Sequence, residues 1–252
     1  MYTIVLATQK GGSGKSTLSI GLALAAIQAG HTVRLIETDS QGTLSNWQSR
    51  RIYAEPIVEP VYVAGDIEAR LQSLSVSGVT LAIIDTAGDI SAVTMAAIRC
   101  ADLCLIPARP TIADIEATAS TLHLIRANDT PFAFVLNQTP IRGQRINNAA
   151  TALCDEATLD SAGVLAQPFI VMRNDHQDAL SAGLAVSEYA PAGKSADEVR
   201  GLWQWVATRL DAGLTADEQP TVGDLPASPD VSSSIFLTAP AETIAPASWS
   251  GL

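Results

Sequence analysis

Short apolar, β-prone runs recur along the chain at Thr3–Ala7, Val33–Ile36, Val58–Val63, Val79–Ile84, Leu103–Ile106, Phe132–Leu136 and Val164–Val171, most of them separated by Ala- and Leu-rich segments of helical length. Several runs show little alternation of apolar and polar positions, the pattern of strands covered by helices on both faces. Together they predict an α/β fold with a doubly wound, mostly parallel sheet flanked by helices. Between Ser195 and Asp211 the apolar residues Val199, Leu202, Trp203, Val206 and Leu210 recur at helical spacing, with Arg200, Gln204 and Arg209 on other faces. This predicts a closing amphipathic helix. Its stripe suits docking onto the sheet, and Trp205, off the stripe, leaves attachment to a membrane surface as the other reading. From Thr215 the chain turns rich in Pro, Ser, Ala, Thr and acids without a sustained period. Residues 1–213 are therefore read as one folded domain and 214–252 as an acidic, disordered tail. Within it Ile235, Phe236 and Leu237 form a short apolar cluster that suits either a docking motif or an incidental stretch of linker.

A chain of 252 residues, 47% of them apolar, can furnish the core of one α/β domain. Met1 to Lys10 lack a basic start followed by a long apolar run, and no later stretch has the unbroken apolar length needed to cross a bilayer. The expectation is a soluble cytoplasmic protein with no membrane partner. Cys100, Cys104 and Cys154 have no metal-ligand spacing and are too few for a disulfide framework, which predicts core thiols. The net charge of -11 is shared with the tail: five acids and no base follow Leu214, and the remainder holds 21 acids against 15 bases, a net of -6. Nucleic acid is bound mainly by Lys and Arg displacing counterions, so any DNA contact has to be a local patch.

The run Lys10-Gly11-Gly12-Ser13-Gly14-Lys15-Ser16-Thr17 follows the first predicted strand and opens an Ala/Leu-rich helix, the context a phosphate loop requires. Its glycines let successive backbone N–H groups turn onto phosphate oxygens, and the helix adds its positive N-terminal end. Lys15 is placed to contact the β- and γ-phosphates. The Ser16 hydroxyl suits a phosphate-bound Mg²⁺, and Thr17 suits the α-phosphate or the helix start. The second run ends in Glu37-Thr38-Asp39-Ser40-Gln41-Gly42, which brings two carboxylates to the carboxyl end of a strand, where ligands bind in such sheets. An acidic helix cap is the other reading of that segment. The run Leu81–Ile84 delivers Asp85, followed by Gly88, as a Walker B element does, and Asp85 is read as a Mg²⁺ holder, through water.

The extra lysine, Lys10, ahead of two glycines resembles the deviant Walker A pattern K-G-G-x-G-K-[ST]-T of the ParA/MinD family of P-loop ATPases. The resemblance implies the P-loop NTPase fold, ATP and Mg²⁺ as cofactors, ATP hydrolysis, and a homodimer in which Lys10 crosses to the partner's nucleotide. Glu37 to Gln41 resembles the family's D-x-D-P-Q segment, with Glu37 in place of Asp and Ser40 in place of Pro. It implies that Asp39 orients the attacking water. Asp85 to Gly88 is similar to D-[TG]-[PA]-[PG] and implies that Gly88 approaches the γ-phosphate. Pro110 to Asp114 resembles P-x-x-x-D, where a plain helix-start charge is the other reading of Asp114. Asn137 stands where the family reads the adenine edge, and an Asn ending a strand is also a common turn cap. The segment from Met172 to Pro191 extends the likeness to about Leu210, and the chain is most similar to short partition ATPases that begin directly at the first strand. That likeness implies slow hydrolysis, nonspecific DNA binding by the ATP dimer, and release by a ParB-like or cargo-adaptor protein. Arg142, Arg145, Arg173, Lys194, Arg200 and Arg209 are the candidates for a DNA patch. A protein cargo, or a MinD-like membrane role, are the alternatives.

Overall fold

The computed structural model describes residues 1–157 and 161–215. Its six strands are β1 (Tyr2–Leu6), β2 (Val33–Glu37), β3 (Ile57–Pro60), β4 (Leu81–Asp85), β5 (Leu103–Ala108) and β6 (Phe132–Leu136). They form one sheet in the order β3-β2-β4-β1-β5-β6, parallel throughout. Helices α1 (Lys15–Gln28), α2 (Thr43–Arg50), α3 (Asp66–Val76), α4 (Ala92–Arg99), α5 (Ile112–Arg126) and α6 (Gln144–Ala157) follow successive strands. After β6 come α7 (Ser161–Val164), α8 (Asn174–Ser181), α9 (Val186–Tyr189) and α10 (Lys194–Thr215). This is the doubly wound α/β architecture that the apolar runs predicted.

The two faces of the sheet bury two separate apolar layers. Ile4, Leu6, Leu35, Ile83, Leu105 and Val135 face a layer built with α1, α2, α9 and α10. Their neighbours Val5, Ile36, Ile84, Ile106 and Phe134 face α3, α4, α5 and α6. Because both faces are covered, apolar residues occupy both phases of the strand, which is why the runs read as unbroken. Cys104 is buried in the second layer, where burial pushes its thiol pKa up, and Cys100 and Cys154 pack at that layer's margin. Cys104 is the core thiol expected, whereas Cys100 and Cys154 are only partly buried.

The seventh apolar run departs from the expectation. Residues 164–171 make only two isolated parallel bridges, Phe134 with Leu165 and Thr139 with Val171. The Ala166 N–H bonds to the Phe134 carbonyl, and the next donor two residues on would have to be residue 168. Pro168 has no N–H, and the Leu136 carbonyl is instead reached by Ile170. The ladder therefore breaks, and the segment accompanies β6 without joining the sheet as a strand.

Helix α10 carries the predicted stripe. Val199, Leu202, Trp203, Val206 and Leu210 are buried in the first layer, and Trp205 packs against it. The crossing with α1 is close, since a Cβ on Gly21 would stand 3.1 Å from Val199 Cγ1. Of the two readings of this helix, docking is the one observed. No helix among the described residues is long and apolar enough to cross a membrane. The expected tail, with Ile235, Phe236 and Leu237, lies outside the described residues from 216 onward.

Leu202 has no exposed surface. Truncation of such a buried leucine costs about 2–5 kcal/mol. Leu202→Ala is therefore expected to lower the unfolding free energy by that amount, read in urea as a lower midpoint at unchanged m, and an unchanged midpoint would show that α10 contributes nothing to the core.

Candidate active site

Inserting β4 between β1 and β2 sets the carboxyl ends of three strands side by side. Leu6 pairs with Asp85, and Asp85 pairs with Glu37. The loops leaving these ends enclose a cavity of about 700 Å³ lined by Gly11 to Thr17, by Asp39, Ser40, Gln41 and Thr43, by Ala87, Gly88 and Asp89, and by Gln138. The phosphate-loop residues, Asp39 and Gly88 are thus gathered at one place from three separate stretches of sequence.

The loop is held from behind. Asn137 Nδ2 donates to the Ser13 carbonyl at 2.7 Å, and Gln138 Nε2 donates to the Gly12 carbonyl at 2.9 Å. In a planar trans peptide the N–H points opposite to the C=O. With these two carbonyls drawn toward β6, the N–H groups of Ser13 and Gly14 face the other way, as anion binding requires. Gly14 has φ +93°, and a Cβ there would lie 2.2 Å from Asn137 Nδ2. No other residue fits this close approach.

Lys15 is buried, and its Nζ donates to the Thr8 carbonyl at 3.2 Å. Burial lowers its pKa, opposed by the carboxylates of Asp85, Asp39 and Asp89. Gly88 brings the loop after β4 against it, since a Cβ there would stand 3.8 Å from Lys15 Nζ. Lys10 is half-buried and is not among the residues that line the cavity. Its backbone N–H meets the Thr8 hydroxyl at 3.4 Å.

Ser16 Oγ donates to Asp85 Oδ2 at 2.6 Å, while Asp85 Oδ1 is buried with no hydrogen-bond partner among the described residues. Burial pushes the Asp85 pKa up to about 7, against the Ser16 hydrogen bond and the Lys15 charge. An orphaned, buried carboxylate oxygen beside a hydroxyl fits a cation that is not supplied by the protein. Among the described residues no group of three His, Cys, Asp or Glu is gathered for a metal. One hydroxyl and one carboxylate suit Mg²⁺, which keeps waters and takes phosphate oxygens alongside one or two protein ligands.

Glu37 does not face this cavity. Its carboxylate accepts from the Leu44 and Ser45 N–H groups and from the Ser45 hydroxyl, so it anchors the first turn of α2. The replacement of Asp by Glu at this place therefore serves the helix cap. Asp39 Oδ1 accepts from the Gln41 N–H at 2.9 Å and remains at the cavity wall. Asp114 pairs with Arg109 at 2.9 Å and bonds to Thr111 at the start of α5. Burial raises its pKa, but the guanidinium and the hydroxyl outweigh that and hold it low. It is a helix-start charge in an ion pair.

A second, smaller cavity of about 110 Å³ adjoins the loop on the other side, lined by Gly14, Thr17, Leu18, Asn137 and Gln138 together with Ile170 to Arg173, His176, Gln177, Leu180 and Val199. Sequence reasoning supplied Asn137 here and missed the wall contributed by α8. Gln138 was also missed, although it directly follows Asn137. The residues of α8 carry no local signal, because only the path of the chain after β6 brings them to the loop.

A parallel sheet with a glycine-rich loop on the β1–α1 turn and a strand-end acid on the neighbouring strand defines a P-loop nucleotide-binding protein. Residues 4–186 match the CobQ/CobB/MinD/ParA nucleotide binding domain, and the chain belongs to that family. It is an ATPase of the ParA/MinD type, with ATP and Mg²⁺ as its nucleotide and metal. It is similar to the "Maintenance of carboxysome distribution protein A" of Gloeobacter kilaueensis, 30% identical over 207 residues covering 80% of this chain and 90% of that protein. Among solved structures it resembles an ATP complex of a substituted McdA from Cyanothece, at TM-score 0.68 and 17% identity, covering 84% of this chain and 96% of that one. MinD from Pyrococcus horikoshii with Mg-ADP gives TM-score 0.65 at 16% identity, covering 86% and 99%.

Asp85→Asn removes a buried carboxylate whose desolvation outweighs the Ser16 hydrogen bond and the Lys15 charge, while keeping the shape of the side chain. The nucleotide-free variant is expected to melt at a higher temperature than the parent chain. At the same time it should lose the further rise that Mg²⁺ produces when added with ATP. A lower melting temperature without nucleotide would contradict this account of Asp85.

Proposed function

We propose that the chain is a positioning ATPase that dimerises around Mg-ATP, holds nonspecific DNA as the dimer, and is released when an adaptor stimulates hydrolysis. The observation that carries this reading is the unequal placement of the two lysines. Lys15 fills the phosphate cavity of its own chain, whereas Lys10, from the same loop, lies outside the lining of that cavity. A second cation on the rim can serve a γ-phosphate bound by a second copy, where it would neutralise developing charge.

In this reading the N–H groups of the loop and Lys15 hold the β- and γ-phosphates, and Thr17 supports the α-phosphate. Ser16 and Asp85 hold Mg²⁺, which supplies neutralising charge at the phosphates. Asp39 orients the attacking water, Gly88 gives the loop after β4 room to approach the γ-phosphate, and Asn137 meets the adenine edge. Asn137 Nδ2 is already engaged by Ser13, so its Oδ1 is the atom left to accept from an exocyclic amine. Hydrolysis by one chain is slow because Lys10 is contributed by the other.

The similarity to a carboxysome-distribution protein over most of both chains supports a protein assembly as the cargo. A MinD-like membrane role finds no helix face in α10, whose apolar stripe is covered by the core. For DNA, Arg173 and Arg200 are already paired with Glu198 and Asp197. Arg142, Arg145, Lys194 and Arg209 are exposed and remain as the candidate patch.

The test is light scattering and duplex-DNA retention with Mg-ATP. Lys15→Ala is expected to lose nucleotide binding, and Asp39→Ala to accumulate an ATP-bound dimer that retains random DNA in a salt-sensitive manner. An Asp39→Ala protein that stays monomeric with ATP would overturn the reading. A dimer without DNA retention would remove DNA from it.

A further inference from the structure

Helix α2 begins at the hydrolysis loop and ends on the helix that walls the smaller cavity. At its start, Asp39, Ser40, Gln41 and Thr43 line the phosphate cavity, and Glu37 anchors its first turn. Its far end is tied to the α8–α9 segment by several bonds. Trp47 Nε1 donates to the Leu184 carbonyl at 3.1 Å, and Arg50 Nη2 donates to the Leu180 carbonyl at 3.1 Å. Arg51 makes the centre of this junction. Its side chain is 1% exposed, and its guanidinium donates to both oxygens of Glu188 at 2.8 and 2.9 Å and to the Gly183 carbonyl at 3.0 Å. It also lies 4.5 Å from the centre of the Trp47 ring. Gly183 has φ +69°, and a Cβ there would come within 2.5 Å of the Arg50 backbone, so the two segments touch main chain to main chain.

The other side of α8 presents His176, Gln177 and Leu180 to the smaller cavity beside Asn137. One continuous packed path therefore leads from that cavity, through α8, the Arg51–Glu188 pair and α2, to Asp39. With the Glu188 side chain 17% exposed and that of Arg51 buried, the bidentate pair keeps its geometry better than a fully exposed one, because the buried guanidinium is costly to leave alone.

We propose that Arg51 is a positioning residue for the base-dependent part of hydrolysis: its pairing with Glu188 passes the seating of a base against α8 on to α2 and so to Asp39, a linkage that a triphosphate without a base does not draw on. A triphosphate that carries a base is then hydrolysed faster than a bare one. This rests on the ATPase reading above and on the base occupying the smaller cavity.

The test compares turnover of Mg-ATP with that of magnesium tripolyphosphate, which fills the phosphate cavity alone, in the parent chain and in Arg51→Lys and Glu188→Gln. The parent is expected to favour ATP in kcat. Both variants are expected to lose roughly tenfold in kcat on ATP with KM little changed, since small displacements of a catalytic group cost rate before binding. Their tripolyphosphate rates should stay at the parent value, a selectivity that a general loss of folding would not produce. Equal losses on both substrates, unchanged ATP turnover, or a parent enzyme indifferent to the base would each overturn the proposal. If Arg51→Lys does not fold, Glu188→Gln, which keeps size and acceptor, decides it. A parent chain that hydrolyses no ATP would sink the ATPase reading itself, whereas equal losses in the variants would sink only the Arg51 proposal.

Discussion

Two side-chain amides at the end of β6, Asn137 and Gln138, grip the carbonyls of Ser13 and Gly12, and the rest of the site is arranged around that grip. It decides which way the loop's peptide planes turn, and hence that their N–H groups are left for phosphate oxygens. The contact is possible only because position 14 lacks a Cβ and tolerates a left-handed backbone. It also depends on order in the sheet, since β6 reaches the loop at the end of β1 across β5.

Electrostatics then explains why the site is incomplete without a ligand. Lys15 is buried within the field of three carboxylates, and Asp85 has an oxygen that nothing among the described residues satisfies. A buried ionised group without a partner is costly, and the same arrangement becomes favourable when phosphate oxygens and a divalent cation complete it. The net negative charge of the chain does not oppose this, because the relevant field is local to the cavity and is set by backbone amides, one helix N-terminus and one buried ammonium.

The acids at the end of β2 divide their duties. Glu37 is longer by one methylene than the Asp of the D-x-D-P-Q pattern that its segment resembles, and it reaches the first turn of α2. Asp39 stays on the cavity wall. Holding α2 by its N-terminus and by Trp47, Arg50 and Arg51 at the other end turns a short helix into a strut between two cavities. A helix of eight residues has little stability of its own, so its position is set by these contacts.

The apolar runs, the glycine-rich loop and the strand-end acids were legible from the sequence because each is a local signal. Unbroken apolar runs, a phosphate loop between strand and helix, and an acid closing an apolar run are all written within about ten residues. The α10 stripe was legible too, but whether it covers a core or a membrane depends on α1 lying opposite. The run at 164–171 looked like a strand because its composition is that of one, and a single missing N–H at Pro168 diverted it. What tertiary structure alone decided are the pairings across distance: Asn137 with Ser13, Arg51 with Glu188, and the wall that α8 gives to the smaller cavity, whereas the Glu37 cap on α2, seven residues away, was one of the readings the sequence offered. Local patterns reveal which residue types a strand or loop needs, whereas a hydrogen bond between residues more than a hundred positions apart exists only once sheet order and chain path have brought them together.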